Sequence, residues 1–177
     1  MRRTGNHSKY ERILEKFLRN QKITLIPTNE VRKSFDLSGN PIKSFDLMLL
    51  SRGLFSFDVK GKNFGFASAP MNKYENWIHH GDAEALMNWE KVFKRNGCTI
   101  KPLLVFMYKI NFKGDEKLFK DVINAGREKY GVLAITPGLY LRESKLRSNN
   151  PHTISISRKI FKDLALPLSH FVPKLRF

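Results

Sequence analysis

The sequence predicts a mixed α/β (α+β) domain around a central sheet, and three observations predict it. An amphipathic helical segment stands first, two strand-like runs sit back to back after it, and a second helical segment leads into a continuous apolar run.

The elements follow in order. From Ser8 to Asn20 the apolar residues Tyr10, Ile13, Leu14, Phe17 and Leu18 recur at helical spacing and make one apolar face, with Ser8 or Asn6 placed to cap it. A short extended run covers Ile23 to Pro27. Ser44 to Leu50 and Leu54 to Lys60 flank Ser51-Arg52-Gly53, a loop whose last residue can take the left-handed conformation that such connections need. The pair predicts an antiparallel hairpin. Asp82 to Gly97 predicts a helix: Asp82 as N-cap, Glu84 in the first turn, Lys91, Lys94 and Arg95 toward the end, and Gly97 just past it. Leu86, Met87, Trp89, Val92 and Phe93 supply its buried stripe. Leu103 to Met107 reads as a strand buried on both faces. Tyr130 to Thr136 reads as another strand, with a short helix around Lys117 to Asn124 before it. A short strand at Thr153 to Ile156 and a helix capped by Ser157, with Ile160, Phe161 and Leu164 inward, close the reading.

A chain of 177 residues suits one domain with a real core. The core is expected over about residues 8–136, with a basic extension over about 137–177. The 32 Lys and Arg against 16 Asp and Glu give a net charge of +16. An apolar content of 41%, with 14 Phe, excludes a disordered basic tail. Cys98 is the single cysteine, which excludes a disulfide scaffold; it is read as a small buried apolar residue. No apolar run reaches the roughly 18 residues of a membrane span. The basic start, Met1 to Asn6, is not followed by an apolar run, so no secretory leader is expected and the protein is expected to be cytoplasmic. The charge points to a polyanion, nucleic acid first, with a solvated basic face, or docking on an acidic partner, as the alternatives.

The hairpin carries the chemistry. With a loop at 51–53, facing residues sum to 104: Leu50 faces Leu54, Met48 faces Ser56, and Asp46 faces Asp58. Side chains alternate along a strand, so Asp46, Asp58 and Lys60 share one face, and Phe45, Leu47, Leu49, Phe55, Phe57 and Val59 the other. Two facing carboxylates lie about 5 Å apart at Cβ and repel unless compensated. A divalent cation compensates them well, since Mg²⁺ needs only one or two carboxylates plus water and phosphate oxygens. On the first helix Glu11 lies about 90° from the centre of the apolar stripe and Glu15 about 130°, nearer solvent, so Glu11 is better placed to reach the sheet.

Ser44-Phe45-Asp46, then Asp58-Val59-Lys60, after a helix reading Tyr10-Glu11-Arg12-Ile13-Leu14-Glu15-Lys16-Phe17-Leu18, resembles the PD-(D/E)XK nuclease superfamily, and within it the Holliday-junction-resolvase-like members. The resemblance covers residues 8–62 by motif and reaches about residue 107 by order of elements. Phe45 stands where the family's name places Pro. The resemblance implies a restriction-endonuclease-like fold: a mixed sheet of 4–5 strands flanked by helices, core order αβββαβ. It implies that Asp46, Asp58 and the Val59 carbonyl bind Mg²⁺ or Mn²⁺. Lys60 would orient or help deprotonate the attacking water, and Glu11 would complete the metal site. The implied activity is endonucleolytic hydrolysis of DNA, branched DNA included, by a homodimer. The alternative is a non-catalytic DNA- or RNA-binding protein.

Other signals are weaker. Lys62-Asn63-Phe64-Gly65-Phe66-Ala67-Ser68-Ala69 resembles an RNA-recognition-motif strand, with Asn63 and Ala69 against the pattern and no partner strand motif. Phe64 and Phe66 are therefore expected in the core or the site wall. His79 and His80 read as loop histidines, and Trp77 and Trp89 as core or interface. Gly61 and Gly65 lack the spacing of a nucleotide-binding loop. Arg142, Lys145 and Arg147, beside Ser148, Asn149 and Asn150, read as a phosphate-contacting loop; Lys43 and Lys62, next to the hairpin acids, join them as nucleic-acid contacts.

Overall fold

The computed structural model describes residues 9–28, 34–35, 41–65 and 73–177. The first amphipathic segment forms α1 (Lys9–Asn20). It is followed by β1 (Thr24–Pro27), β2 (Ser34–Phe35), β3 (Pro41–Ile42), β4 (Leu47–Leu50) and β5 (Leu54–Phe64). β6 (Ile78–His79) leads into α2 (His80–Arg95) and β7 (Ile100–Ile110). A 3₁₀ turn (Asp115–Leu118), β8 (Val122–Ala125) and β9 (Glu128–Ile135) come next. The chain closes with α3 (Pro137–Glu143), β10 (Lys145–Asn149), β11 (His152–Ser155), α4 (Arg158–Leu164), β12 (Leu166–Pro167) and α5 (Leu168–Phe171).

Among the described residues the main sheet runs β1-β4-β5-β7-β9-β12, with β8 also on β9. β1, β4 and β5 are antiparallel neighbours, and β5 pairs with β7 in parallel along its whole length. Such a parallel step needs a crossover, and α2 lies in it. Along the chain the helices and main-sheet strands run α1-β1-β4-β5-α2-β7, with the β2–β3 ladder inserted after β1 and β6 inserted before α2. The sheet has seven strands where four to five were expected. The additional short strands β8 and β12 line up end to end along β9 and carry too few residues for a legible alternation.

Two apolar layers cover the sheet. Leu103, Val105 and Met107 face α1, together with Leu14, Leu18, Leu47, Leu49, Phe55, Phe57 and Val59. Leu104, Phe106 and Tyr108 face α2, together with Phe45, Phe64, Leu86, Tyr140 and Phe161. Alternation along β7 separates the two. Burying each such side chain contributes about 1.5–3 kcal/mol.

Several expectations change. Residues 117–124 form the end of a 3₁₀ turn and a strand, because Gly126, at φ 64°, closes a tight β8–β9 hairpin. Ser157 does cap α4 and Phe161 is fully buried, but Ile160 points outward. Cys98 is exposed beyond the end of α2. Residues 145–149 are strand rather than loop. The chain after residue 137 is woven into the core: Phe161 enters one layer, and Leu168, Val172 and Leu175 the other. Phe64 keeps its expected place in the core, fully buried and edge-on to Tyr74, Tyr108 and Phe119, so its ring cannot stack on a base. Phe66 lies outside the described residues. No helix among the described residues is long and apolar enough to cross a membrane.

Candidate active site

The hairpin register is the expected one: Leu50 faces Leu54, Leu49 faces Phe55, Met48 faces Ser56 and Leu47 faces Phe57. The ladder then stops. The Asp46 amide donates to the Phe57 carbonyl at 2.9 Å, although Leu47 is the residue in register with Phe57. Thr28, just past β1, holds this irregularity, its amide on the Asp46 carbonyl at 3.1 Å and its hydroxyl on the Phe45 carbonyl. The extra residue turns Phe45 out of the α1-facing layer where it was expected. Its ring meets Trp89 edge-on at 5.3 Å in the α2-facing layer. Asp46 consequently does not sit in a ladder pair with Asp58. Its Oδ2 instead accepts the Val59 amide at 2.6 Å.

Asp58 and Lys60 point to the α2 side of β5. Lys60 Nζ lies 2.7 Å from Asp58 Oδ2 and 2.5 Å from Asp82 Oδ2. The Asp58 contact is an ion pair without the angle of a hydrogen bond, since Oδ2 has no hydrogen-bond partner. Asp82 is not the N-cap. The helix begins at His80, His79 holds the cap position, and Asp82 stands in the first turn, 4% exposed. Two ammonium groups draw its carboxylate, since Lys43 Nζ binds Oδ1 while Lys60 binds Oδ2. A charge-assisted bond of this kind exceeds a neutral cap bond.

The protonation equilibria follow from burial and charge. Burial raises the Asp46 pKa above the ordinary carboxylate value, the Asp58 charge adds to the rise, and the Val59 amide opposes it. Burial raises Asp58 as well, with Lys60 opposing. Burial works to lower Lys60, but Asp58 and Asp82 more than reverse it, so its ammonium is held above the usual range. Burial pushes Asp82 up, and Lys60 and Lys43 together bring it below the ordinary value.

The first helix reaches this cluster through a missing side chain. A Cβ on Gly61 would lie 2.0 Å from the Tyr10 ring, so only glycine lets Tyr10 lie on the β5 backbone. The contact brings the neighbouring Glu11 to the site, where its charge acts on Asp46. Glu15 is buried too, at 5% exposed, rather than nearer solvent, and its carboxylate turns along the helix to Arg19 at 2.8 Å.

Glu11, Val59, Lys60 and Asp82 line an open cleft of about 370 Å³, together with Tyr10, Lys62, Trp77 and His79. Lys62 Nζ lies 3.4 Å above the Trp77 ring, and burial lowers its pKa to about 8. Arg147 Cζ lies 5.4 Å from the same ring. The wall is set by β6, which pairs with β11, and by Asn76, which exchanges hydrogen bonds with the Ile156 main chain at 3.0 and 2.9 Å. Of the nucleic-acid candidates, Lys43, Lys62 and Arg147 thus gather around the cleft. Arg142 pairs with its neighbour Glu143, and Lys145 is exposed on β10. His80 stacks on His152 at 4.7 Å, beside the cleft residue His79.

Sequence reasoning missed Asp82 as a partner of Lys60, Gly61 as the seat of α1, and Trp77 as a cleft residue. Asp82 carried a signal that was read otherwise, because an Asp near a helix start satisfies capping as well as pairing.

Carboxylate oxygens are the donors that a hard divalent cation takes. Asp46, Asp58 and Asp82 set three carboxylates against the two ammonium groups of Lys60 and Lys43, with Glu11 adjoining Asp46. Among the described residues no three His, Cys, Asp or Glu side chains form a ready metal-holding group. Mg²⁺ asks for less, namely one or two carboxylates completed by carbonyl, water and phosphate oxygens. The chain matches no protein-family model and no curated protein.

Proposed function

We propose that the protein is a divalent-metal-dependent phosphodiesterase that cuts DNA, with a restriction-endonuclease-like core. One observation carries the reading: Asp46 and Asp58 are buried together at 4% and 6% exposure, with Lys60 2.7 Å from Asp58, beside a cleft on an αβββαβ frame. Burying two carboxylates, each raised by burial and Asp46 further by the Asp58 charge, costs several kcal/mol and gives the fold nothing that Asn or Leu would not give. The chain's charge of +16 supplies the attraction for a polyanion.

Asp46, Asp58 and the Val59 carbonyl would hold Mg²⁺ or Mn²⁺, with Glu11 adjoining. When bound, such an ion acidifies water and clamps phosphate oxygens. The Val59 amide fixes the Asp46 carboxylate through Oδ2. Lys60 places a permanent positive charge where an attacked phosphate accumulates negative charge. Asp82 is a positioning residue that keeps the Lys60 ammonium in place.

The test is cleavage of duplex, branched and single-stranded DNA with and without Mg²⁺. The reading expects Mg²⁺-dependent cutting by the unsubstituted protein, and loss of cutting with binding retained in Asp58→Ala and Lys60→Ala. Binding without cleavage of any of the three would leave a non-catalytic nucleic-acid-binding protein instead. A light-scattering mass decides whether the active form is a homodimer.

A further inference from the structure

We propose that Trp77, between Lys62 and Arg147, is a stacking site for an unpaired nucleotide, so that the cleft takes single-stranded or frayed DNA rather than intact duplex. The inference rests on the cleft being the nucleic-acid site of the proposed function. It starts from a contrast between the two tryptophans. Trp89 packs against the α2-facing core, meets Phe45 edge-on, and donates its indole N–H to the Lys43 carbonyl at 2.9 Å. Trp77 belongs to neither apolar layer. Lys62 lies over its ring, Arg147 lies beside it, Glu75 accepts its N–H at 3.0 Å, and His79 stands edge-on at 6.4 Å. An indole that the core does not use, half-buried in the wall of a cleft, has apolar area available to a ligand.

The cations define that ligand. Lys62 and Arg147 come from strands 85 residues apart in sequence (147 − 62) and meet at one ring. Cation–aromatic contact holds them there. Arg147 also pairs with Glu75 at 3.4 Å. A bound strand can offer phosphates to the cations and a base to the indole, which is the arrangement of single-strand binding sites. In a duplex the base faces are stacked inside the helix, where a recessed indole cannot reach them. The wall is also rigid. Asn76, adjacent to Trp77, is buried and receives the Tyr140 hydroxyl at 2.6 Å on its carbonyl, besides its two bonds to Ile156. A fixed platform loses little freedom when it binds.

The experiment uses the full chain without divalent metal, so that binding is read apart from cleavage. Oligothymidylate and a blunt duplex of equal length are titrated while tryptophan emission and anisotropy are followed. Oligothymidylate is expected to quench emission in the unsubstituted protein and in Trp89→Phe, and not in Trp77→Phe. Trp77→Ala is expected to lose about tenfold in affinity for the single strand, with duplex affinity within about twofold. Quenching that survives in Trp77→Phe, or single-strand and duplex affinities that fall equally in Trp77→Ala, would overturn the proposal. Failure of the nuclease reading would look different: Trp77-dependent quenching with no Mg²⁺-dependent cleavage.

Discussion

The two faces of β5 follow opposite rules. Toward α1 it sends Phe55, Phe57 and Val59 into a layer with Leu14, Leu18 and Leu47, and apolar burial accounts for each of them. Toward α2 it sends Ser56, Asp58 and Lys60 into surroundings about as closed. There Ser56 Oγ has no hydrogen-bond partner, and Asp58 Oδ2 is met only by the Lys60 ammonium as an ion pair. A buried hydroxyl left unpaired costs about 1–3 kcal/mol, and a buried ion pair costs desolvation that its attraction only partly returns. One strand therefore stabilises the fold on one face and spends stability on the other. The side that costs stability is the side to read for function.

Substitutions can break that comparison. The largest effect is expected from Asp58→Ala, which should lower Mg²⁺-dependent cleavage at least 10²- to 10³-fold while nucleic-acid binding persists. Phe57→Ala, one residue away on the other face, should instead cost about 3–5 kcal/mol in a denaturant melt. Its cleavage rate per folded molecule should stay near that of the unsubstituted protein. If Phe57→Ala inactivates the folded protein, the division between the faces fails.

A smaller effect sharpens the division. Asp82→Asn leaves α2 intact but weakens the hold on Lys60, and cleavage should drop about 10- to 100-fold, as for other partners that orient a metal site. An Asp82→Asn variant that cuts at the full rate would make Asp82 structural only. Smaller again is the difference between two arginines close in sequence. Arg147→Ala should lower the salt dependence of DNA binding by about one unit of log–log slope, and Arg142→Ala should leave it unchanged. Equal slopes would remove Arg147 from the cleft wall as a DNA contact.

The sequence made much of this frame legible, where local pattern decides. The helical stripe of Tyr10, Leu14 and Leu18, the hairpin register and the apolar run at 103–107 were each readable from a handful of residues. Asp58 and Lys60 share a face because alternation along a strand is a local rule. Phe45 was misread because its orientation depends on Thr28, far off in sequence, and on the space beside Trp89. Glu15 was placed nearer solvent because a helical wheel does not show what covers a helix. Trp77 and Arg147 could not be joined, since the β6–β11 pairing that brings their segments together leaves no periodic trace in two residues of β6. Arg142, Lys145 and Arg147 formed one basic stretch in sequence, whereas Arg142 ends up on α3 and a register shift in β10 between Leu146 and Ser148 sets Arg147 apart from Lys145.

The most direct measurement compares stability and cleavage in Asp46→Asn. The folded-state pKa of Asp46 is raised by burial and by Asp58. Its favourable contribution is therefore full below the ordinary carboxylate pKa and is lost as pH climbs through the raised value. Asn does not titrate and keeps an oxygen for the Val59 amide. Without metal at pH 8, Asp46→Asn should be more stable than the unsubstituted protein by about 1 kcal/mol, an advantage that vanishes toward pH 4. The same variant should lose Mg²⁺-dependent cleavage. A variant that is less stable at pH 8, or that cuts DNA as fast as the unsubstituted protein, would contradict the claim that these carboxylates are buried for chemistry.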